Sequence, residues 1–191
     1  RRVLFRSHTL PSSKIHARPV HISPGVGSSQ DRTAAHSDYQ VGNVYDVPVG
    51  LIKSNPFNPR AVYTTTAVDN MAISLSTSGQ RISATGYIDD QGSITLIEGE
   101  TRLRGARAAG LATLRIEIRP RPASDRELYE EARAANVERR EQTPLDDAIK
   151  WKELLAKKVY QTQAALAKSL GLGEDHVSRT LSLAGLSNRV I

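Results

Sequence analysis

The chain has 191 residues, 39% of them hydrophobic, with 26 Lys and Arg against 20 Asp and Glu for a net charge of +6, and its pI is near 9.8. That length holds one or two modest domains with a real core, and the basic excess favours a polyanionic partner, nucleic acid before membrane, because no basic amphipathic helix with a bulky apolar face appears. The absence of cysteine excludes disulfides, thiolate nucleophiles and cysteine-zinc sites, no apolar run approaches the roughly 20 residues of a membrane span, and Arg1-Arg2-Val3-Leu4-Phe5-Arg6 lacks the apolar core of a secretory signal, so a cytoplasmic protein is expected.

Residues 1–44 are rich in Ser, His, Arg, Gly and Pro and show neither helical nor strand periodicity, so they read as a disordered basic tail that could add nonspecific phosphate contacts. His8, His16, His21 and His36 fall in it at spacings that match no metal-ligand pattern. At Tyr45 the composition changes. Tyr45 to Ile52 is apolar and β-prone, with Pro48 suited to an edge strand, and a folded domain is expected from here to Pro122. Asn55-Pro56 and Asn58-Pro59-Arg60 force an extended or turning backbone. Val68, Met71, Ala72 and Leu75 then fall at helical spacing, and Ser78-Gly79 closes that helix. Ile82 to Ile88 and Ser93 to Ile97 read as two strands joined by the turn Asp89 to Gly92.

The second strand feeds directly into Gly99-Glu100-Thr101-Arg102-Leu103-Arg104-Gly105, a turn and a basic helix start that Gly110 stops. Free backbone N–H groups and the helix dipole favour an anion there, above all a phosphate, and Arg102 and Arg104 would add charge-assisted donors. Leu114, Ile116 and Ile118 alternate with Arg115, Glu117 and Arg119 as a half-buried strand ended by Pro120 and Pro122.

Beyond Pro122 every signal is helical, which predicts a second, all-α domain over 123–191. Ser124 and Glu127 form a capping box that opens a helix to about Ala135. Thr143-Pro144 starts another, with Leu145, Ala148, Ile149, Trp151, Leu155 and Val159 assigned to one face, and Trp151 read as core rather than as a stacking platform. Thr162 caps a third helix. From Gln163 to Arg179, Ala167, Gly171 and Val177 supply the small residue, the tight turn and the inward aliphatic residue that a helix-turn-helix needs. In that arrangement Ser178 and Arg179 point outward to reach base edges in the major groove of double-stranded DNA, while Thr162, Gln163 and Lys168 suit phosphates. Glu174 and Asp175 favour the helix N-terminus or accept from cytosine N4, and both roles stand open.

Asn58-Pro59-Arg60, Ser78-Gly79-Gln80, Gly99-Glu100-Thr101-Arg102, Asn136-Val137-Glu138-Arg139-Arg140 and the Thr-Gln opening of the helix-turn-helix follow in one order that resembles the ParB partition-protein family, in the branch carried by plasmids or integrative elements. The resemblance implies an α/β fold with a small mixed sheet of the ParB/sulfiredoxin-like type, followed by the helical DNA-binding domain. It further implies a nucleoid-associated homodimer that binds a centromere-like site, is gated by CTP with Mg2+, and works with a ParA-type ATPase. Carried over, Gly99, Glu100, Thr101 and Arg102 would cradle the phosphates, and Asn136 and Arg139 would complete the pocket. The chain departs from the family pattern at Thr101, at Ile82-Ser83 and at Ala135, where a glutamate suited to magnesium is usual. CTP binding is therefore expected over hydrolysis, with Glu130 or Glu131 as substitute metal ligands. The family's C-terminal dimerisation domain has no counterpart after Leu186, which suggests a fragment. A sequence-specific repressor that binds no nucleotide is the alternative function, and a kinase would have little use for a DNA-reading module.

Overall fold

The structure, a computed structural model, describes residues 39–187, which belong to one compact unit. The expected histidine-bearing tail up to residue 38 lies outside the described residues. Residues 39–43, assigned above to that tail, are already tied down: the Gly42 N–H donates to the Ile118 carbonyl (2.8 Å), and Tyr39 packs edge-on against Tyr45 at 5.0 Å.

Strand β1 (Val44–Pro48) and strand β2 (Ile52–Lys53) are separated by a 3-10 turn, Val49–Leu51. Helix α1 (Thr65–Ser78), strands β3 (Ala84–Ile88) and β4 (Ile94–Glu98), helix α2 (Glu100–Ala108) and strand β5 (Thr113–Ile118) follow. The sheet order is β1-β5-β3-β4-β2. β1 is antiparallel to β5, β5 parallel to β3, β3 antiparallel to β4 and β4 parallel to β2. The stretch from Tyr45 to Ile52, read above as one β-prone run, thus serves both edges of the sheet. Five flat strands would hold those edges about 19 Å apart, whereas the four steps from Pro48 to Ile52 reach at most about 14 Å, so the sheet must curl. A half-buried strand alternates inside and outside, and β5 does so: Leu114, Ile116 and Ile118 are buried and meet Val47, Ile94, Leu96, Leu103 and Ala106 in one core. Helix α2 lies close on α1. A Cβ added at Gly105 would stand 2.6 Å from Met71 Cγ and 3.1 Å from the Ala72 backbone nitrogen, so glycine lets the two helices approach.

Helices α3 (Asp125–Glu138), α4 (Pro144–Ala156), α5 (Gln163–Leu170) and α6 (Glu174–Ser187) build a second core of Tyr129, Trp151, Leu154, Tyr160, Leu166, Ala167 and Val177. Helix α3 runs three residues past its expected end, so Asn136 is helical. Ser124 caps it, but Glu127 takes the N–H of Ala123 rather than that of Ser124, so the reciprocal half of the predicted box is displaced by one residue. In α4 Ala148 and Trp151 are buried as assigned, and Leu155, like Val159 beyond the helix's end, packs against the helical core, but the inward face is not the whole of the assigned one. Leu145 is 41% exposed while Leu154, Asp146 and Asp147 are buried, because the two carboxylates have partners inside. Thr143 and Asp146 form the capping box of α4. The two cores meet along residues 57–63: Asp146 Oδ1 accepts from the N–H groups of Ala61 (2.8 Å) and Val62 (3.1 Å), and Phe57 packs against the helical core. No helix among the described residues is long and apolar enough to cross a membrane.

Candidate functional site

β4 is buried along most of its length and ends at Glu98, after which Gly99 turns the chain into α2 with φ +109°. A Cβ at Gly99 would lie 2.6 Å from Ala84 Cβ, so both the dihedral and the space demand glycine. No side chain caps α2, and the N–H groups of its first turn have no intrahelical acceptor. The residues of that turn, Glu100, Thr101 and Arg102, line a cleft of about 110 Å³ that is open to solvent.

Three segments close that cleft. From α2 come Glu100, Thr101 and Arg102; from the C-terminal end of α3 come Asn136 and Arg139. The third is the Asn-Pro segment, where Asn55 Oδ1 accepts from the Phe57 N–H (2.7 Å) and Asn58 Oδ1 from the Arg60 N–H (3.1 Å). Those two side-chain turns present Arg60 and Tyr63 to the cleft. Arg60 Nη1 donates to Thr101 Oγ1 (3.3 Å) and Nη2 to the Glu141 carbonyl (3.4 Å). All six residues assigned to a nucleotide from the family pattern therefore line one cleft. Arg104 does not line it. Its Nε donates to Glu100 Oε1 (2.8 Å), and its guanidinium lies 4.0 Å over the Tyr63 ring. Arg60, Tyr63 and Glu98 line the cleft without having been assigned to it. The Asn-Pro-Arg motif was a signal for the first; nothing in the sequence marked the other two.

Two features bear on what the cleft can hold. Glu100 is only 6% exposed, and Oε1 is satisfied by Ser54 Oγ (3.1 Å) and Arg104, but Oε2 is buried with no partner among the described residues. A buried carboxylate oxygen without a donor is costly, and a ligand hydroxyl, amine or hydrated cation would satisfy it. Burial, and then the charge of Glu100, push the Tyr63 hydroxyl well above the ordinary tyrosine range, so it stays protonated. Behind the cleft, Asn136 Nδ2 donates to Gln142 Oε1 (3.4 Å), Gln142 Nε2 to Asp147 Oδ1 (2.9 Å), and Arg133 holds Asp147 bidentately (3.0 and 2.8 Å). Glu130 and Glu131 do not reach the cleft. Glu130 instead receives Arg126, Tyr160 and Ser169, so the expectation of a substitute metal ligand is corrected for Glu130, whereas Glu131 carries none of those bonds and interacts electrostatically with Glu98. Among the described residues no three His, Asp or Glu side chains are grouped to hold a metal.

On the opposite part of the chain, α5 and α6 meet through Ala167 and Val177, which are buried, and Gly171 makes the turn at φ +66°. Thr162 Oγ1 caps α5 at the Ala165 N–H (3.0 Å). Thr162, Gln163, Lys168, Ser178 and Arg179 are all exposed on these two helices.

Residues 33–137 match the ParB N-terminal domain family. The chain belongs to that family. Chromosome-partitioning protein ParB of Caulobacter vibrioides (strain NA1000 / CB15N) is 29% identical over 153 residues, 79% of this chain and 49% of that protein. Nucleoid occlusion protein of Bacillus cereus (strain B4264) is 29% identical over 164 residues, 84% of this chain and 55% of that protein. The chain thus spans about half the length of the curated relatives it matches. Among solved structures, the C-terminally truncated ParB from Caulobacter crescentus complexed with CTP-gamma-S aligns at a TM-score of 0.48 with 26% identity, covering 75% of this chain and 79% of that one.

Proposed function

We propose that this ParB-family chain is a nucleotide-gated DNA-binding protein of the partition type, holding CTP in the cleft and a centromere-like DNA site on α5 and α6. The observation that carries the reading is the convergence of Gly99, Glu100, Thr101 and Arg102 with Asn136 and Arg139 around one cleft. A glycine turn, an uncapped helix start and arginines from two other segments form a donor set suited to a polyphosphate. The N–H groups of Glu100, Thr101 and Arg102 would take one phosphate, and Arg102, Arg139 and Arg60 would offset the charge. Asn136 is held by Gln142 at the cleft's helical side, where it would orient the ligand. Magnesium fits this cleft only with the phosphates as its main ligands, since the carboxylates that line it, those of Glu98, Glu100 and Glu141, are not grouped to hold a metal; when bound it would neutralise phosphate charge. Hydrolysis, if present, is expected to be weak.

For DNA, the N-terminal half of α6 would enter the major groove with Ser178 and Arg179 at base edges, and Thr162, Gln163 and Lys168 would fix register on phosphates. A homodimer on a palindromic site and a ParA-type ATPase partner belong to the same reading.

The test is calorimetric titration of CTP, with ATP and GTP as controls, into the chain with magnesium, with and without DNA. Selective CTP binding is expected, weakened about 10- to 100-fold by Arg102→Ala. Absence of nucleotide binding under both conditions, with DNA affinity intact, would move the repressor function to first place.

A further inference from the structure

The cleft expected to attract a polyanion already contains one charge of that sign in contact with its arginines. Glu98, the last residue of β4, reaches Arg102 on α2 (3.5 Å) and Arg139 at the end of α3. The Glu98 and Arg102 side chains are only 19% and 16% exposed, and Arg139 is 36% exposed. Glu98 also follows four buried positions of its strand, Ile94, Thr95, Leu96 and Ile97, and its backbone is fixed by pairing with Thr85. The carboxylate thus lies between two of the guanidinium groups that the nucleotide reading assigns to phosphates. Three guanidinium groups, those of Arg60, Arg102 and Arg139, line the cleft, and so do three carboxylates, those of Glu98, Glu100 and Glu141. As it stands the cleft is therefore close to neutral, which is a poor receptor for a group of several negative charges.

We infer that Glu98 is a built-in competitor for polyphosphate: its carboxylate holds Arg102 and Arg139 when the cleft is empty and must give them up for a phosphate to bind. The inference rests on the nucleotide reading of the cleft and adds its regulation. A ligand that binds only when a contact is broken shows an affinity reduced by the fraction of molecules in which that contact is open. Glu98 thereby sets a threshold. It also makes occupancy visible at α3, because the same carboxylate joins β4 to the α3 terminus through Arg139.

The test uses the whole chain, wild type and Glu98→Gln, titrated with inorganic tripolyphosphate, with CTP and magnesium, and with uncharged cytidine. The expected result is a gain of about tenfold or more for both tripolyphosphate and CTP in Glu98→Gln and no gain for cytidine. Arginine side-chain NMR of the wild type supplies a measurement independent of the variant's folding: the Arg139 guanidinium signal should move on saturation with tripolyphosphate. An unmoved Arg139 signal, or a variant that binds tripolyphosphate no better than wild type, overturns the competitor. CTP binding that is equal or weaker in Glu98→Gln overturns the competitor while the nucleotide reading stands. Tighter tripolyphosphate binding in Glu98→Gln with no CTP binding by either chain supports the competitor and removes the nucleotide reading.

Discussion

At Gly99 two independent requirements coincide. The backbone takes φ +109°, and a methyl group there would meet Ala84 at 2.6 Å, so Gly99→Ala is strained twice. Its expected cost is about 2–4 kcal/mol, read as a lower urea midpoint with an unchanged slope. A midpoint within error of wild type would mean that the turn is more adaptable than its geometry says. The neighbouring residues show how far single positions could be read from sequence. Gly99 to Arg102 were legible because a glycine between a strand and a basic helix has a physical use. Glu98 was not, because a charged residue ending a strand ordinarily faces water, and only the fold puts Arg139 opposite it. Asp146 and Asp147 escaped for a similar reason: on a helical wheel an acid counts as solvent-facing, and only the fold brings the Ala61 and Val62 N–H groups to the first and Arg133 of α3 to the second.

Elements were legible where periodicity was unambiguous. β5 alternates, α1 ends at its glycine, and Thr143-Pro144 starts α4 as its capping chemistry requires. The break between β1 and β2 was hidden, since the whole stretch is apolar and either reading suits its composition. Helix α3 makes a pH prediction. Burial works against the Glu130 charge, but hydrogen bonds from Ser169, Arg126 and Tyr160 outweigh it and hold its carboxyl below the usual glutamate value of 4.5. A depressed folded pKa means that the contribution of Glu130 to stability is complete above that value and is lost as pH falls through the lower folded one. Glu130→Gln should accordingly flatten the stability curve on the acid side below about pH 5, measured by thermal melts from pH 6 to pH 3; a slope as steep as wild type would place the acid sensitivity elsewhere. Helices α5 and α6 make another. Arg179→Ala should weaken binding to the specific site by about 1–3 kcal/mol with folding stability within about 0.5 kcal/mol of wild type. Lys168→Ala should instead weaken all sequences alike and lower the salt slope by about one. Equal losses on specific and random DNA for both variants would show that α6 does not read bases.

At the scale of the molecule, the parts of the chain before and after Pro122 are in contact. Asp146, on the helical side, takes two backbone N–H groups of the segment that presents Arg60 and Tyr63 to the cleft. The cleft is therefore assembled by both parts of the chain and is not the property of the sheet domain alone. Asp146→Ala leaves two partly exposed backbone donors without their acceptor, at about 1–3 kcal/mol for the pair. Hydrogen exchange at Ala61 and Val62 should quicken strongly while amides of β3 and β4 keep their protection. Uniform loss of protection would mean instead that the chain unfolds as a single cooperative body. Membership of the ParB N-terminal domain family agrees with the α/β reading made from motif order.

The arrangement of the edges also bears on how the protein is made. Among the described residues β1 pairs only with β5, Val47 lying opposite Leu114, and β2 pairs only with β4. At a synthesis rate of about 5–20 residues per second, the first strand leaves the ribosome roughly 3–13 s before its partner exists. Throughout that interval residues 44–48 present an unpaired, β-prone segment to the cell, so the nascent chain, more than the finished one, is where chaperones would find this protein.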